Sequence, residues 1–134
     1  MMEWSFDRPD RSFQFGRLLA VMERAENDYY RSSGDERMTN AIKAMSQYRQ
    51  TPWTVFERVN GVLETAYLPR CEKWARDRYH RLCGEIVGVL SAWDKTELNK
   101  PLNEFYLMGY TLQRNAFFRH EEQEETNEQT ETEE

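Results

Sequence analysis

Apolar residues recur at three- and four-residue spacing along most of this chain, and no stretch alternates in twos for long, so the pattern predicts helices and no sheet. The clearest run is 10–31, DRSFQFGRLLAVMERAENDYYR, where Phe15, Leu18, Leu19, Met22, Ala25 and Tyr29 share one face at about 100° per residue. That face is expected to enter a core. Arg17, Arg24 and Arg31 lie seven apart on the other side, and since a seven-residue step drifts only about 20°, they predict a nearly straight basic stripe. Asp10 or Ser12 is placed to cap the first turn, Pro9 bars extension upstream, and Ser32-Ser33-Gly34-Asp35 reads as the stop.

Four further helices follow from the same periodicity. Residues 40–50 carry Ala41, Ile42, Met45 and Tyr48 behind Thr39 or Asn40 as a cap. Thr51-Pro52 opens a third helix, with proline at the first helical position and Trp53, Phe56, Val59, Leu63 and Tyr67 on one face, ending near Leu68-Pro69. The fourth and longest spans 70–93, with Trp74, Ala75, Tyr79, Leu82, Ile86, Val89, Leu90 and Trp93 along one side and Arg70, Lys73, Arg76, Arg81 and His80 opposite. After a loop at 94–100, Asn103 is expected to cap a fifth, bearing Phe105, Tyr106, Leu107, Met108, Tyr110, Leu112 and Phe117. Gly16, Gly84, Gly88 and Gly109 all fall inside these helices at about 1 kcal/mol each relative to alanine, which points to close helix crossings. The expected architecture is all-α: a lead-in at 1–9, a compact bundle of about five helices at 10–118, and a disordered acidic C-terminal tail at 119–134.

Charge sharpens this picture. The formal net charge is −6, but residues 121–134 hold eight Glu and no Lys or Arg; setting those aside leaves 18 basic against 16 acidic residues, or +2. With no apolar residue, the tail has nothing to bury and is expected to stay solvated. The stretch Arg70 to Arg81 holds five basic residues plus His80 against two acids, as a groove following a phosphate backbone without reading bases would. The competing reading is an ordinary solvated face, with Asp28 pairing Arg24 and Arg31, and Asp77 pairing Lys73 and Arg81. Trp53, Phe56, Trp74 and Tyr79 are assigned to core faces, as packing rather than stacking platforms.

Other chemistry is poorly supplied. Cys71, His80, Cys83 and His120 are the soft metal-ligand candidates, but no CxxC or HxxxH accompanies them, so no metal is expected and the cysteines read as small core or boundary residues. On one continuous helix the cysteines would stand about 18 Å apart, too far for a disulfide. No Gly-rich phosphate loop, GxSxG or isolated carboxylate pair is found, so neither an enzyme nor a cofactor is expected. The N-terminus lacks a signal-peptide apolar segment and no run reaches a membrane span, so the chain is expected to be soluble and cytoplasmic.

Three stretches, DRSFQFGRLLAVMERAE, ERMTNAIKAMSQYRQTPWTVFERV and LNKPLNEFYLMGYTLQR, in this order, resemble the C-terminal region of the large subunit of type I-C CRISPR interference (Cascade) complexes. In these systems that region is also made separately, from an internal start, as the small subunit. Met1-Met2 ahead of the match, and nothing like the large subunit's N-terminal domain, point to that form. The resemblance covers about residues 8 to 118; the acidic tail departs from it. It implies a noncatalytic helical bundle, present in more than one copy beside the backbone and large subunits of a crRNA-guided ribonucleoprotein, supporting the R-loop chiefly by holding the displaced non-target DNA strand.

The residues expected to contact phosphate are Arg24, Arg31, Lys43, Arg70, Lys73, Arg76, Arg78 and Arg81. Family motif positions Asp10, Ser12, Gly16, Arg17, Pro101, Gly109, Tyr110, Gln113 and Arg114 match here and serve packing and assembly as readily as DNA; the surfaces of the first and fifth helices are expected to meet neighbouring subunits. The alternative is a structural scaffold or interaction module whose basic faces contact protein.

Overall fold

The structure, a computed structural model, describes residues 10–34 and 37–132, with side chains as far as residue 119. The lead-in expected at 1–9 lies outside the described residues. The fold is all-α, with no strand among the described residues.

α1 (Arg11–Ser33) is the axis of the molecule. Asp10 caps it by accepting from the Phe13 amide at 3.0 Å, and Gly34, at φ 74°, closes it in the left-handed conformation that glycine adopts without steric cost. Every residue from Ser12 to Met22 is buried, so the first half of this helix is enclosed on all sides, while Asn27 and Arg31 to Ser33 are exposed further along. The basic stripe expected on its solvent side therefore turns inward at Arg17 and Arg24 and reaches the surface only at Arg31.

Where one short helix was expected at 40–50, a turn at Ala44 divides α2 (Asn40–Lys43) from α3 (Met45–Gln50). Thr39 caps α2 at the Ile42 amide, 3.1 Å away. Fully buried Glu26 of α1 accepts the Asn40 and Ala41 amides at 2.9 Å each, so a carboxylate from another helix completes the cap. α4 (Pro52–Val62) has proline in its first turn and continues through a π-helical turn, Leu63–Tyr67, into a 3₁₀ turn, Leu68–Arg70. The chain then becomes extended at Cys71, and α5 (Lys73–Leu90) begins later than the residue 70 expected.

A short α6 (Lys95–Leu98) occupies the expected loop. Arg11 holds that segment by donating to the carbonyls of Leu98, Lys100 and Pro101 at 3.3, 2.9 and 2.9 Å. Asn103 accepts from the Phe105 amide at 2.9 Å as α7 (Phe105–Thr132) starts. The α7 helix extends to Thr132; the side chains of the expected acidic tail beyond residue 119 lie outside those described.

α7 and α5 embrace α1 from two sides, α7 most extensively. Along α1 and α7 the partners advance together, Phe13 with Gly109, Arg17 with Gln113 and Arg24 with Phe117, so the two run in the same direction. α5 runs the other way, its first turn beside Asp28 and Ser32 and its middle beside Val21. Phe15, Leu18, Met22, Tyr48, Val55, Leu63, Ile86 and Leu90 fill the centre. Among the described residues no helix is long and apolar enough to cross a membrane.

Candidate nucleic-acid interface

The core face of α5 is set by Ala75, Tyr79, Ile86 and Leu90, all buried. Its outer face follows from the same helical period. Lys73, His80 and Arg81 are exposed there and Arg76 half-buried at the edge, while Arg70 stands exposed in the turn just before. Arg81 keeps 63% of its side chain open and lies 3.8 Å from Glu85, a separation at which a solvated pair contributes little. His80 is 2.8 Å from Glu64 of the preceding π-helical turn.

Trp74 corrects the sequence reading. Assigned there to the core, it is 54% exposed. One residue before Ala75, it stands about 100° away from the core row and joins Arg78 and Arg81 at positions i, i+4 and i+7. Its indole N–H donates to the Glu72 carboxylate, and the Arg78 guanidinium lies over its ring, 5.2 Å from the centroid. That i, i+4, i+7 row was the signal available in the sequence.

Arg24 and Arg78 play a different part from Arg70, Lys73 and Arg81. Both guanidiniums converge on Asp28, Arg24 at 3.3 Å and Arg78 through a short bond, and both lie over Phe117 of α7, at 5.5 and 5.1 Å. Arg24 is only 8% exposed. Burial pulls its pKa down and Asp28 opposes that shift, the electrostatic signature of a cation held inside the fold by a carboxylate. These two arginines thus join α1, α5 and α7, and Arg78 also fixes the Trp74 ring.

The remaining expected residues are dispersed. Arg31 is exposed at the end of α1 and lines the same cleft as Trp74. Lys43 is exposed on α2, where it lines a separate groove of about 320 Å³ with Gln47 and Arg58; the sequence reading passed over Arg58. Gly16, Arg17, Gly109 and Gln113 all lie in the seam between α1 and α7. Arg17 donates to the side-chain carbonyls of Gln113 and Gln14, both at 3.0 Å. Tyr110 donates to Glu23 at 2.7 Å, its pKa pushed up to about 12 by burial and by that carboxylate, and Arg114 reaches the same glutamate at 3.9 Å. Cys71 is buried and Cys83 half-buried, both as free thiols whose pKa burial raises.

A row of cations on a helix exterior beside an exposed, immobilised indole can neutralise phosphates and stack a ring, both without reading sequence. No curated protein matches the chain. A family model described as CRISPR-associated protein (Cas_Csd1) matches residues 1–118, most of the sequence, and agrees with the CRISPR resemblance noted above. The chain belongs to the Cas_Csd1 family of CRISPR-associated proteins.

Proposed function

We propose that this chain is a noncatalytic small subunit of a type I-C Cascade complex, and that the outer face of α5 holds nucleic-acid backbone, chiefly the displaced non-target DNA strand. The observation that carries the reading is the outward placement of Arg70, Lys73 and Arg81 on and just before α5, with Arg76 half-buried at the edge of that face. In guide-directed complexes base pairing reads the sequence, and exchanging a DNA duplex for a guide–target heteroduplex is nearly balanced, so modest nonspecific contacts suffice to tip it. The backbone and large subunits and further copies of this chain are the protein partners in this reading.

The test is charge reversal at Lys73, Arg76 and Arg81 together, in the assembled complex. The variant is expected to assemble at full stoichiometry and then capture target DNA weakly. A complex that loses stoichiometry without target DNA would instead assign these residues to a protein scaffold.

A further inference from the structure

We infer that the acidic segment 121–134 stands in for a nucleic-acid strand: it docks on the cations where α1 ends and α5 begins, and a strand must displace it to bind. The inference rests on the reading of the α5 outer face as a backbone-binding surface and adds the regulation of that surface.

α1 and α7 run side by side in one direction, with the Arg24 guanidinium over the Phe117 ring at 5.5 Å. Both helices rise about 1.5 Å per residue, so seven residues further on Arg31 and Glu124 come to one level, within the α7 helix that continues to Thr132. α5 runs the opposite way and begins at this same end, its first turn beside Asp28 and Ser32. The acidic segment is therefore delivered to the end of the bundle where Arg31, Arg70 and Lys73 stand exposed. Arg31 joins the two sides. It lines a groove of about 150 Å³ against α7, with Asn27, Arg114 and Phe118, and another of about 190 Å³ against the start of α5, with Cys71 and Ala75. The distance is short enough: the segment spans about 21 Å even as a helix, against about 12 Å from Lys73 to Arg81.

Charge decides what fits this path. Residues 121–134 hold eight Glu and no Lys, Arg or apolar residue, so the segment offers a row of anions and nothing to bury, as a phosphate backbone does. Among the described residues Arg70 and Lys73 have no ion-pair partner. The acids of the α5-side groove are engaged within the fold, Asp28 by Arg24 and Arg78 and Glu72 by the Trp74 indole, so they leave these cations to an anion from outside the packed helices. Tethering supplies the rest. A segment joined directly to α7 acts at about millimolar effective concentration, which against a weak nonspecific constant of about 10⁻⁴ M makes a strand bind roughly tenfold more weakly. The Cas_Csd1 match ends at residue 118, ahead of this segment.

The experiment measures oligothymidylate binding by the full chain and by a full-length variant in which every glutamate of 121–134 is replaced by glutamine. The variant is expected to bind about tenfold more tightly at roughly 50 mM salt, with the ratio shrinking toward one by roughly 200 mM, because salt loosens the segment as well as the strand. A free peptide of residues 121–134, added to the variant at about millimolar concentration and matched ionic strength, should restore the weaker wild-type affinity. Equal affinity of the two chains overturns the inference and leaves the basic surface standing. A gain that the free peptide does not reverse assigns the effect to long-range repulsion of the strand and overturns the docking. No binding by either chain overturns both the docking and the backbone-binding surface.

Discussion

Asp28 receives Arg24 from its own helix and Arg78 from α5, and the three groups sit against Phe117 where α1, α5 and α7 meet. Removing one member of a buried charge cluster leaves the others uncompensated, so Asp28→Ala is expected to cost about 3–5 kcal/mol, read by denaturant unfolding. A loss below about 1 kcal/mol would show that the cluster is solvated. The Arg24–Asp28 half was legible in the sequence as an i, i+4 pair; Arg78 was not, because a contact across 50 residues depends on how the helices dock. Glu26 gives a second test. Its burial raises the carboxyl pKa more than the Asn40 and Ala41 amide bonds lower it, so the folded chain holds that proton more firmly than the unfolded chain does. Stability from this group is thus fully present below the ordinary glutamate range and declines as pH rises through that range toward the raised folded value. Comparing wild type with Glu26→Gln isolates the term: the wild-type advantage should shrink as pH rises through that window, and an advantage that grows there would reverse the assignment.

At the scale of elements, the crossing of α1 and α7 depends on two missing side chains. A methyl on Gly16 would collide with the Tyr106 carbonyl, and one on Gly109 with the Phe13 carbonyl. Gly84 and Gly88 were expected at crossings too, yet both face open space on α5. Alanine therefore acts oppositely at the two kinds of site. Gly16→Ala or Gly109→Ala should lose about 1–3 kcal/mol through forced displacement of the helices, whereas Gly84→Ala or Gly88→Ala should gain about 0.5–1 kcal/mol by restricting the unfolded chain. Thermal melting of the four variants checks this, and a uniform sign would contradict it. Periodicity revealed that glycines interrupt helices but not which face another helix, because that depends on the rotation at which each helix docks. The caps at Asp10, Thr39 and Asn103 were readable because they are local. The burial of Arg17 was not, since its buried partner Gln113 lies 96 residues away.

The whole molecule separates its charge by position. Eight Glu of the chain lie in residues 121–134, while Lys73 and Arg81 of α5 stand exposed on the bundle beside exposed Asp77 and Glu85, and Arg78 turns inward to Asp28. The Cas_Csd1 family match covers residues 1–118, a span that includes α1 to α6 and the start of α7. Trp74 was misplaced at sequence level because an aromatic beside a core row is usually part of it, although its alignment with Arg78 and Arg81 pointed outward; the packed bundle leaves it exposed with Arg78 across its ring. The most direct measurement of the central claim is the salt dependence of target-DNA capture by assembled complexes carrying either wild type or the triple charge reversal at Lys73, Arg76 and Arg81. Each lost phosphate contact to a single strand should flatten the slope of log affinity against log salt by about 0.7, so the variant should bind more weakly with a slope shallower by about 2. Unchanged affinity and an unchanged slope would contradict the account.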